Sequence, residues 1–204
     1  MQRQWLARTG TSDLILVFAG WALGAAPFAG LVGEEDVLLV QDYTTLDAVP
    51  GLAGYDRVSL LAYSFGAVSA AHWLAQTGAQ VQRRVAVAGT LYPADADKGI
   101  APETVRLTAE SLTSASFAKF CRRAGLDGPA PNIDIDAARD ELLAIADRGP
   151  APDPGFDRVW IPARDRIIPT RAQKLAWAGH AGLREVDGGH VPFRPGQRWE
   201  GWFA

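Results

Sequence analysis

Short apolar runs recur along the chain, and each is bounded by turn residues. In most of them apolar residues occupy consecutive positions, which is typical of strands covered on both faces, as in a parallel sheet between helices. Helical spacing follows some runs, most clearly from Phe65 to Gln76, before Gly78. This alternation predicts βαβ units and an α/β fold with a mostly parallel central sheet flanked by helices. The predicted strands are Leu14 to Ala19, Asp36 to Gln41, Arg57 to Ala62, Arg83 to Gly89, Asp157 to Ala163 and Leu183 to Val186.

The region from Leu91 to Phe156 breaks this alternation, because it contains no convincing strand. Helical spacing is found instead in Glu103 to Leu112, Phe117 to Ala124 and Asp136 to Arg148, with turns rich in Gly and Pro between them. The region starts after one predicted strand and ends before the next. It should therefore lie over the carboxyl ends of the strands, where open α/β sheets bind ligands. We interpret it as a small helical lid, at about 91–156, within a single domain that spans residues 1–204.

Composition narrows the possible functions. The chain has 204 residues, of which 48% are hydrophobic, and this suffices for one large core but not for two ordinary domains. The net charge is −3, and basic and acidic residues are scattered along the whole chain, so the sequence shows no basic cluster of the kind that binds nucleic acid. The apolar run from Leu14 to Phe18 is too short for a membrane span or a signal peptide core. A single cysteine, Cys121, cannot form an internal disulfide.

The same considerations argue against a cofactor. His72, His180 and His190 share no spacing typical of metal ligands, and the glycines do not form a phosphate-binding loop. We expect a cytoplasmic monomer that uses no metal or other cofactor and binds neither nucleic acid nor membrane.

The segment around Ser64 is the most informative local feature. An apolar run from Leu60 to Tyr63 leads into Ser64 and then directly into a helix, which is the pattern of a nucleophile elbow. The elbow requires small residues two positions before and two positions after the serine, and Ala62 and Gly66 meet this requirement. Alanine departs from the usual glycine at the first position. Alternatively, Ser64 is an ordinary helix N-cap with no chemical role.

Two further side chains complete a catalytic pattern. Asp165 lies in the loop after a late predicted strand, and His190 follows the last one. Ser64, Asp165 and His190 therefore occur in the order used by α/β-hydrolases, each just beyond the carboxyl end of a strand. In such a triad the histidine takes the proton of the serine, and the aspartate holds the imidazole in the required tautomer.

Alternative interpretations of these residues remain open in the sequence. Asp165 could form a surface ion pair with Arg164 or Arg166, and His190 could be a plain loop residue among glycines. Asp187 is a rival for the catalytic acid, but it lies only three residues before His190, so we prefer Asp165.

An oxyanion hole requires two backbone donors. One should be the amide of Phe65, directly after the nucleophile, and the other should come from the loop after an early strand. We expect the amide of Trp21 there, with Gly20 allowing a close approach of the backbone. Trp21 could also simply pack under the lid, a role that is compatible with its amide donating.

Several short segments occur together in a distinctive order: Phe18 to Trp21, Asp42-Tyr43, Tyr63 to Gly66, Gly89-Thr90 with Pro93, Gly99-Ile100, and Lys119-Phe120 with Arg122-Arg123. In this order they resemble one known family, the short pimeloyl-carrier-protein methyl ester esterases of biotin synthesis, the BioG type. The resemblance spans most of the chain and is most specific in Phe18 to Trp21 and in Tyr63 to Gly66. Two departures are an alanine, Ala88, where asparagine is expected, and the shortness of the helical insertion.

The resemblance implies an α/β-hydrolase that removes the methyl group from a pimeloyl chain held on acyl carrier protein. Such a carrier is strongly acidic, and basic lid residues would steer it. The candidates are Arg106, Lys119, Arg122 and Arg123, although solvated helix faces are a common fate of such side chains.

Apolar lid residues are candidates to line an acyl channel, although several should belong to the core. They are Leu107, Leu112, Phe117 and Phe120, and Tyr63 could face the acyl chain or pack against the sheet. Two other functions remain open: a general short-chain esterase or acyl thioesterase with the same triad, and an inactive binding module suggested only by Ala62 and Ala88.

Overall fold

The computed structural model describes all 204 residues and contains one seven-stranded sheet with the order β1-β3-β2-β4-β5-β6-β7. All neighbouring strands are parallel except β1 and β3, which are antiparallel. The predicted α/β class with a mostly parallel sheet is therefore confirmed. The strands are β1 (Gln2–Ala7), β2 (Asp13–Phe18), β3 (Asp36–Gln41), β4 (Arg57–Tyr63), β5 (Arg83–Val87), β6 (Arg158–Pro162) and β7 (Leu183–Val186).

Six of these strands were predicted, with bounds that differ by at most two residues. The edge strand β1 was not predicted. Its residues from Gln2 to Trp5 are exposed, so the burial that produces an apolar run is missing. Only its antiparallel pairing with β3, in which Gln2 lies opposite Gln41, makes it a strand.

Five α-helices accompany the sheet: α1 (Gly66–Thr77), α2 (Pro102–Glu110), α3 (Ser114–Ala124), α4 (Ile135–Arg148) and α5 (Thr170–Ala176). Local signals set several of their ends. The Thr113 side chain caps α3 in a reciprocal pair with Ser116, and Asp134 caps α4. Gly78 ends α1 in the left-handed region, with φ of 64°. The short helix α5 was not predicted, since its seven residues are too few for a clear apolar period.

Helices α2, α3 and α4 all lie between β5 and β6, where the lid was predicted. They are not detached from the sheet, because Val105, Phe117 and Leu142 belong to the same apolar cluster of 52 buried residues as the strands. The insertion therefore contributes to the core. No helix in the structure is both long enough and apolar enough to span a membrane.

Candidate active site

Ser64, Asp165 and His190 meet at the carboxyl edge of the sheet, and all three are buried. Ser64 follows β4, Asp165 follows β6 and His190 follows β7. The Ser64 Oγ lies 2.8 Å from His190 Nε2, and His190 Nδ1 lies 2.7 Å from Asp165 Oδ2. A carboxylate only accepts hydrogen bonds, so Nδ1 carries the ring proton and Nε2 is free to accept from the serine hydroxyl. This geometry gives the tautomer that a serine nucleophile requires.

Close backbone packing holds Ser64 in a strained turn. Its φ is 57°, in the left-handed region that side chains larger than glycine avoid. A Cβ atom on Gly66 would lie 2.2 Å from the carbonyl oxygen of Phe18, and one on Gly89 would lie 2.4 Å from that of Ser64. Glycine at these positions lets α1 and the next loop approach the nucleophile. Ala62, by contrast, is fully buried in β4, so a methyl group is accommodated two residues before the nucleophile.

Four donors hold the Asp165 carboxylate. Oδ1 accepts the backbone N–H groups of Ile167 at 2.8 Å and Ile168 at 3.1 Å. Oδ2 accepts His190 Nδ1 and also the side-chain Nε2 of Gln173, at 2.8 Å. Asp165 therefore forms no surface ion pair.

The rival acid Asp187 lies elsewhere. It is exposed and pairs with Arg164 at 2.6 Å, and that hydrogen bond lowers the pKa of the Asp187 carboxyl group. The surface ion pair with Arg164 that the sequence allowed for Asp165 is thus formed by Asp187.

The His190 loop is fixed by the lid and by an aromatic ring. The N–H of Val191 donates to the carbonyl of Ala124, at the end of α3, over 2.9 Å. The ring centroid of Tyr63 lies 5.3 Å from that of His190. The Tyr63 hydroxyl is buried without a hydrogen-bond partner, and burial, together with the charge of Asp165, raises the pKa of this phenol well above its usual value.

The two expected oxyanion donors line the same cavity as Ser64. Neither the amide of Trp21 nor that of Phe65 donates to a backbone carbonyl, so both are available to a ligand. The Trp21 indole donates to the carbonyl of Ala138 on α4 over 2.7 Å, so this side chain packs under the lid as well. A Cβ atom on Gly20 would come within 2.8 Å of the Tyr63 ring, and glycine therefore permits the close approach of this loop to the elbow.

The cavity has a volume of about 320 Å³ and lies between the elbow and the insertion. Its walls are largely apolar, and three exposed basic side chains stand at its edge: Lys119, Arg123 and Arg166. The remaining lining residues are Leu23, Ile100, Val105, Leu112, Phe120, Leu142 and Ile167, with the hydroxyl residues Thr104, Thr108, Ser111 and Ser116.

Only some of the residues predicted to contact the acyl chain line the cavity. Leu112 and Phe120 line the cavity, whereas Phe117 is buried behind it, stacked on Phe120. The expectation for Leu107 needs correction, because its side chain is 49% exposed on the outer face of α2. Tyr63 is also corrected, because it is fully buried beneath His190 and does not line the cavity.

Of the four basic residues predicted to contact a carrier protein, only two border the cavity. Lys119 and Arg123 stand at the cavity edge, while Arg122 is exposed outside it. Arg106 lies away from the cavity because it forms ion pairs on the helix surface with Glu103 and Glu110.

Three residues of this region were not singled out by the sequence. Arg166 lines the cavity, but nothing in its local pattern distinguishes it from other loop arginines. Gln173 reaches Asp165 from the unpredicted helix α5. Glu141 on α4 accepts the N–H of Tyr43 at 3.1 Å, and burial raises the pKa of its carboxyl group to about 7.

The fold and the Ser–His–Asp arrangement define a member of the α/β-hydrolase class. The RedJ thioesterase of prodiginine biosynthesis in Streptomyces coelicolor shares this fold, with a TM-score of 0.58 at 19% identity over 91% of this chain and 86% of that one. A crystal structure of BioG from Haemophilus influenzae is far more similar, with a TM-score of 0.89 at 26% identity over the whole of both chains.

The chain belongs to the BioG family, because the family profile described as "Pimeloyl-ACP methyl esterase BioG" matches residues 1–130. The matched segment includes Ser64 but ends before Asp165 and His190. A curated relative from Bacteroides fragilis, named malonyl-[acyl-carrier protein] O-methyltransferase, is 29% identical over 87% of this chain. The chain spans only 39% of the length of that relative.

Proposed function

We propose that this chain hydrolyses the methyl ester of a pimeloyl group carried on acyl carrier protein, with Ser64 as the nucleophile. The observation that carries the proposal is the position of His190 between the Ser64 hydroxyl, at 2.8 Å, and the Asp165 carboxylate, at 2.7 Å. Membership of the BioG family supports the choice of substrate.

The chemistry proceeds by acyl transfer through the serine. The Ser64 Oγ attacks the ester carbonyl carbon while its proton passes to His190 Nε2. The amides of Trp21 and Phe65 donate to the developing oxyanion. His190 then gives the proton to the departing methoxide, which leaves as methanol and generates an acyl-enzyme. Water attacks this ester, His190 takes the proton from the water, and Ser64 regains a proton as the free carboxylate departs.

The cavity supports a carrier-linked acyl chain. Apolar residues such as Leu112 and Phe120 accommodate methylene groups, since their burial in such a pocket is favourable. In this proposal the methyl ester lies at Ser64, and the opposite end of the chain runs toward the cavity edge, which is lined by Lys119, Arg123 and Arg166. Positive charge there suits an acidic carrier. The name of the Bacteroides fragilis relative points to methyl transfer onto an acyl group on the same kind of carrier.

The alternatives have weaker support. The likeness to the RedJ thioesterase extends to the fold alone. An inactive binding module would not require an aligned proton relay, and neither Ala62 nor Ala88, the two residues that suggested such a module, takes part in that relay. Ala62 is buried in β4, and Ala88 adopts a φ of 52°, a conformation that asparagine or glycine adopts more readily.

The decisive experiment compares methyl pimeloyl carrier protein with a small free methyl ester. The purified wild type should release methanol and a free carboxylate, with a clear preference for the carrier-linked ester. Ser64→Ala should lose at least about a thousandfold of this activity, because the nucleophile is removed. A preference for the free ester would favour a general esterase, and undiminished turnover by Ser64→Ala would rule out the mechanism.

Carrier contact has its own test. Arg123→Glu should lower kcat/KM for the carrier-linked ester about tenfold at low salt while leaving the small ester unaffected, because steering acts on the acidic partner. Arg122→Glu is the matched control, since Arg122 is exposed on the same helix but outside the cavity. Equal losses for the two variants would contradict a specific role of the cavity edge.

A further inference from the structure

Gln173 is a fully buried polar residue that reaches the proposed proton relay from α5. Its side-chain Nε2 donates to Asp165 Oδ2 at 2.8 Å and to the carbonyl of Ile168 at 2.7 Å. Asp165 Oδ2 is also the oxygen that faces His190. Gln173 thus shares one carboxylate oxygen with the imidazole.

The orientation of this amide is fixed by its neighbours. Asp165 Oδ2 and the Ile168 carbonyl are both acceptors, so the Nε2 end must face them. The other end, Oε1, is buried and has no hydrogen-bond partner. A buried acceptor without a partner destabilises the folded state, and this cost offsets part of what the two donated hydrogen bonds contribute. The Nε2 group is nevertheless held against Asp165 Oδ2 and the Ile168 carbonyl.

We propose that Gln173 is a positioning residue of the relay, which acts through Asp165 by drawing negative charge from the carboxylate oxygen that faces His190. This inference rests on the proposed triad. Without the amide, Asp165 Oδ1 keeps its bonds to Ile167 and Ile168, so the carboxylate stays in place. Its other oxygen then bears more negative charge and stabilises the imidazolium form of His190 more strongly. Loss of the Gln173 amide is therefore expected to move the acid limb of Ser64 labelling to higher pH.

Other groups near the relay do not compete for this role. The titratable side chains around the relay are Tyr63 on β4, which interacts electrostatically with Asp165 and with Cys121 on α3, and Lys119, Arg123 and Arg166, which line the cavity. On the flanking loops, Arg164 pairs with Asp187, and Arg194 contacts the loop at Gly188. Gln173 is the only side chain other than His190 that hydrogen-bonds to the Asp165 carboxylate.

The test measures the rate at which a fluorophosphonate modifies Ser64 as a function of pH, which reports on the relay without depending on the natural substrate. Gln173→Met keeps the length of the side chain and removes both the donor and the unpaired acceptor. We expect it to fold with a somewhat lower melting temperature, because Asp165 Oδ2 and the Ile168 carbonyl each lose a donor. Its rate of labelling at about pH 6 should fall about three- to tenfold, because the acid limb of the pH profile moves to higher pH.

Ala172→Gly is the matched control, because Ala172 is buried on the same helix and makes no hydrogen bond to Asp165. It should lower the melting temperature without moving the acid limb. A uniform loss of rate for Gln173→Met, or an unmoved acid limb, would overturn the inference. Gln173→Leu is a second removal variant, and failure of both to fold would show that Gln173 serves the fold instead. If the wild type is not labelled at Ser64, the proposed triad itself fails, and this inference fails with it.

Discussion

Replacing Gly66 by alanine tests whether close packing at the elbow assembles the site. The added Cβ would lie 2.2 Å from the Phe18 carbonyl oxygen and 2.6 Å from that of Ala19. Real Cβ contacts essentially never fall below 3.0 Å, so α1 and the end of β2 must separate by about 0.8 Å. The chain leading to the Trp21 amide starts at these carbonyls, and the variant therefore moves one oxyanion donor away from Ser64.

The expected effects are large in both stability and rate. Forcing an extra carbon into a packed site costs about 1–3 kcal/mol, which lowers the melting temperature of a chain of this size by about 2–12 °C. A displacement of about 1 Å at a reacting centre can cost about a hundredfold in rate. Thermal unfolding and kcat/KM for the methyl ester measure the two effects separately.

A glycine in open space provides the control. No atom lies within 4 Å of a Cβ built on Gly54, so Gly54→Ala should change neither quantity. A folded Gly66→Ala protein that keeps wild-type kcat/KM would refute the view that this contact places the oxyanion loop.

Three further predictions follow from single side chains. Tyr63→Phe removes a buried hydroxyl without a partner and should stabilise the fold by about 1 kcal/mol, so a lower melting temperature would contradict it. Burial raises the pKa of Glu141 from 4.5 to about 7, so this group costs stability progressively as pH rises through that range. The free energy of unfolding of Glu141→Gln, measured in urea relative to the wild type, should therefore rise by about 3 kcal/mol between about pH 4.5 and about pH 8. A difference between the two proteins that does not change with pH would refute the raised pKa of Glu141. Trp21→Phe loses the indole bond to Ala138 and should lower kcat about tenfold, whereas unchanged kcat would show that this bond does not hold the oxyanion loop.

Local sequence patterns predicted those parts of the fold in which burial produces a regular pattern of apolar residues. Strands β2 to β7 were found because apolar runs mark strands covered on both faces, and Gly78 marked the end of α1. The exposed strand β1 and the short helix α5 leave no such trace, since each is stabilised by distant partners. Pairing with β3 forms β1, and the contacts of Gln173 with the Asp165 loop help to hold α5 in place.

The sequence by itself determined the class of fold, the elbow at Ser64 and the order of the three candidate catalytic residues, because these depend on neighbours along the chain. Only the tertiary structure decided that Asp165 rather than Asp187 faces His190, and that Arg123 but not Arg106 borders the cavity. It also brought Gln173 and Glu141 to the site. The direction of a side chain and its buried partners depend on segments far away in sequence, and a local pattern does not record them.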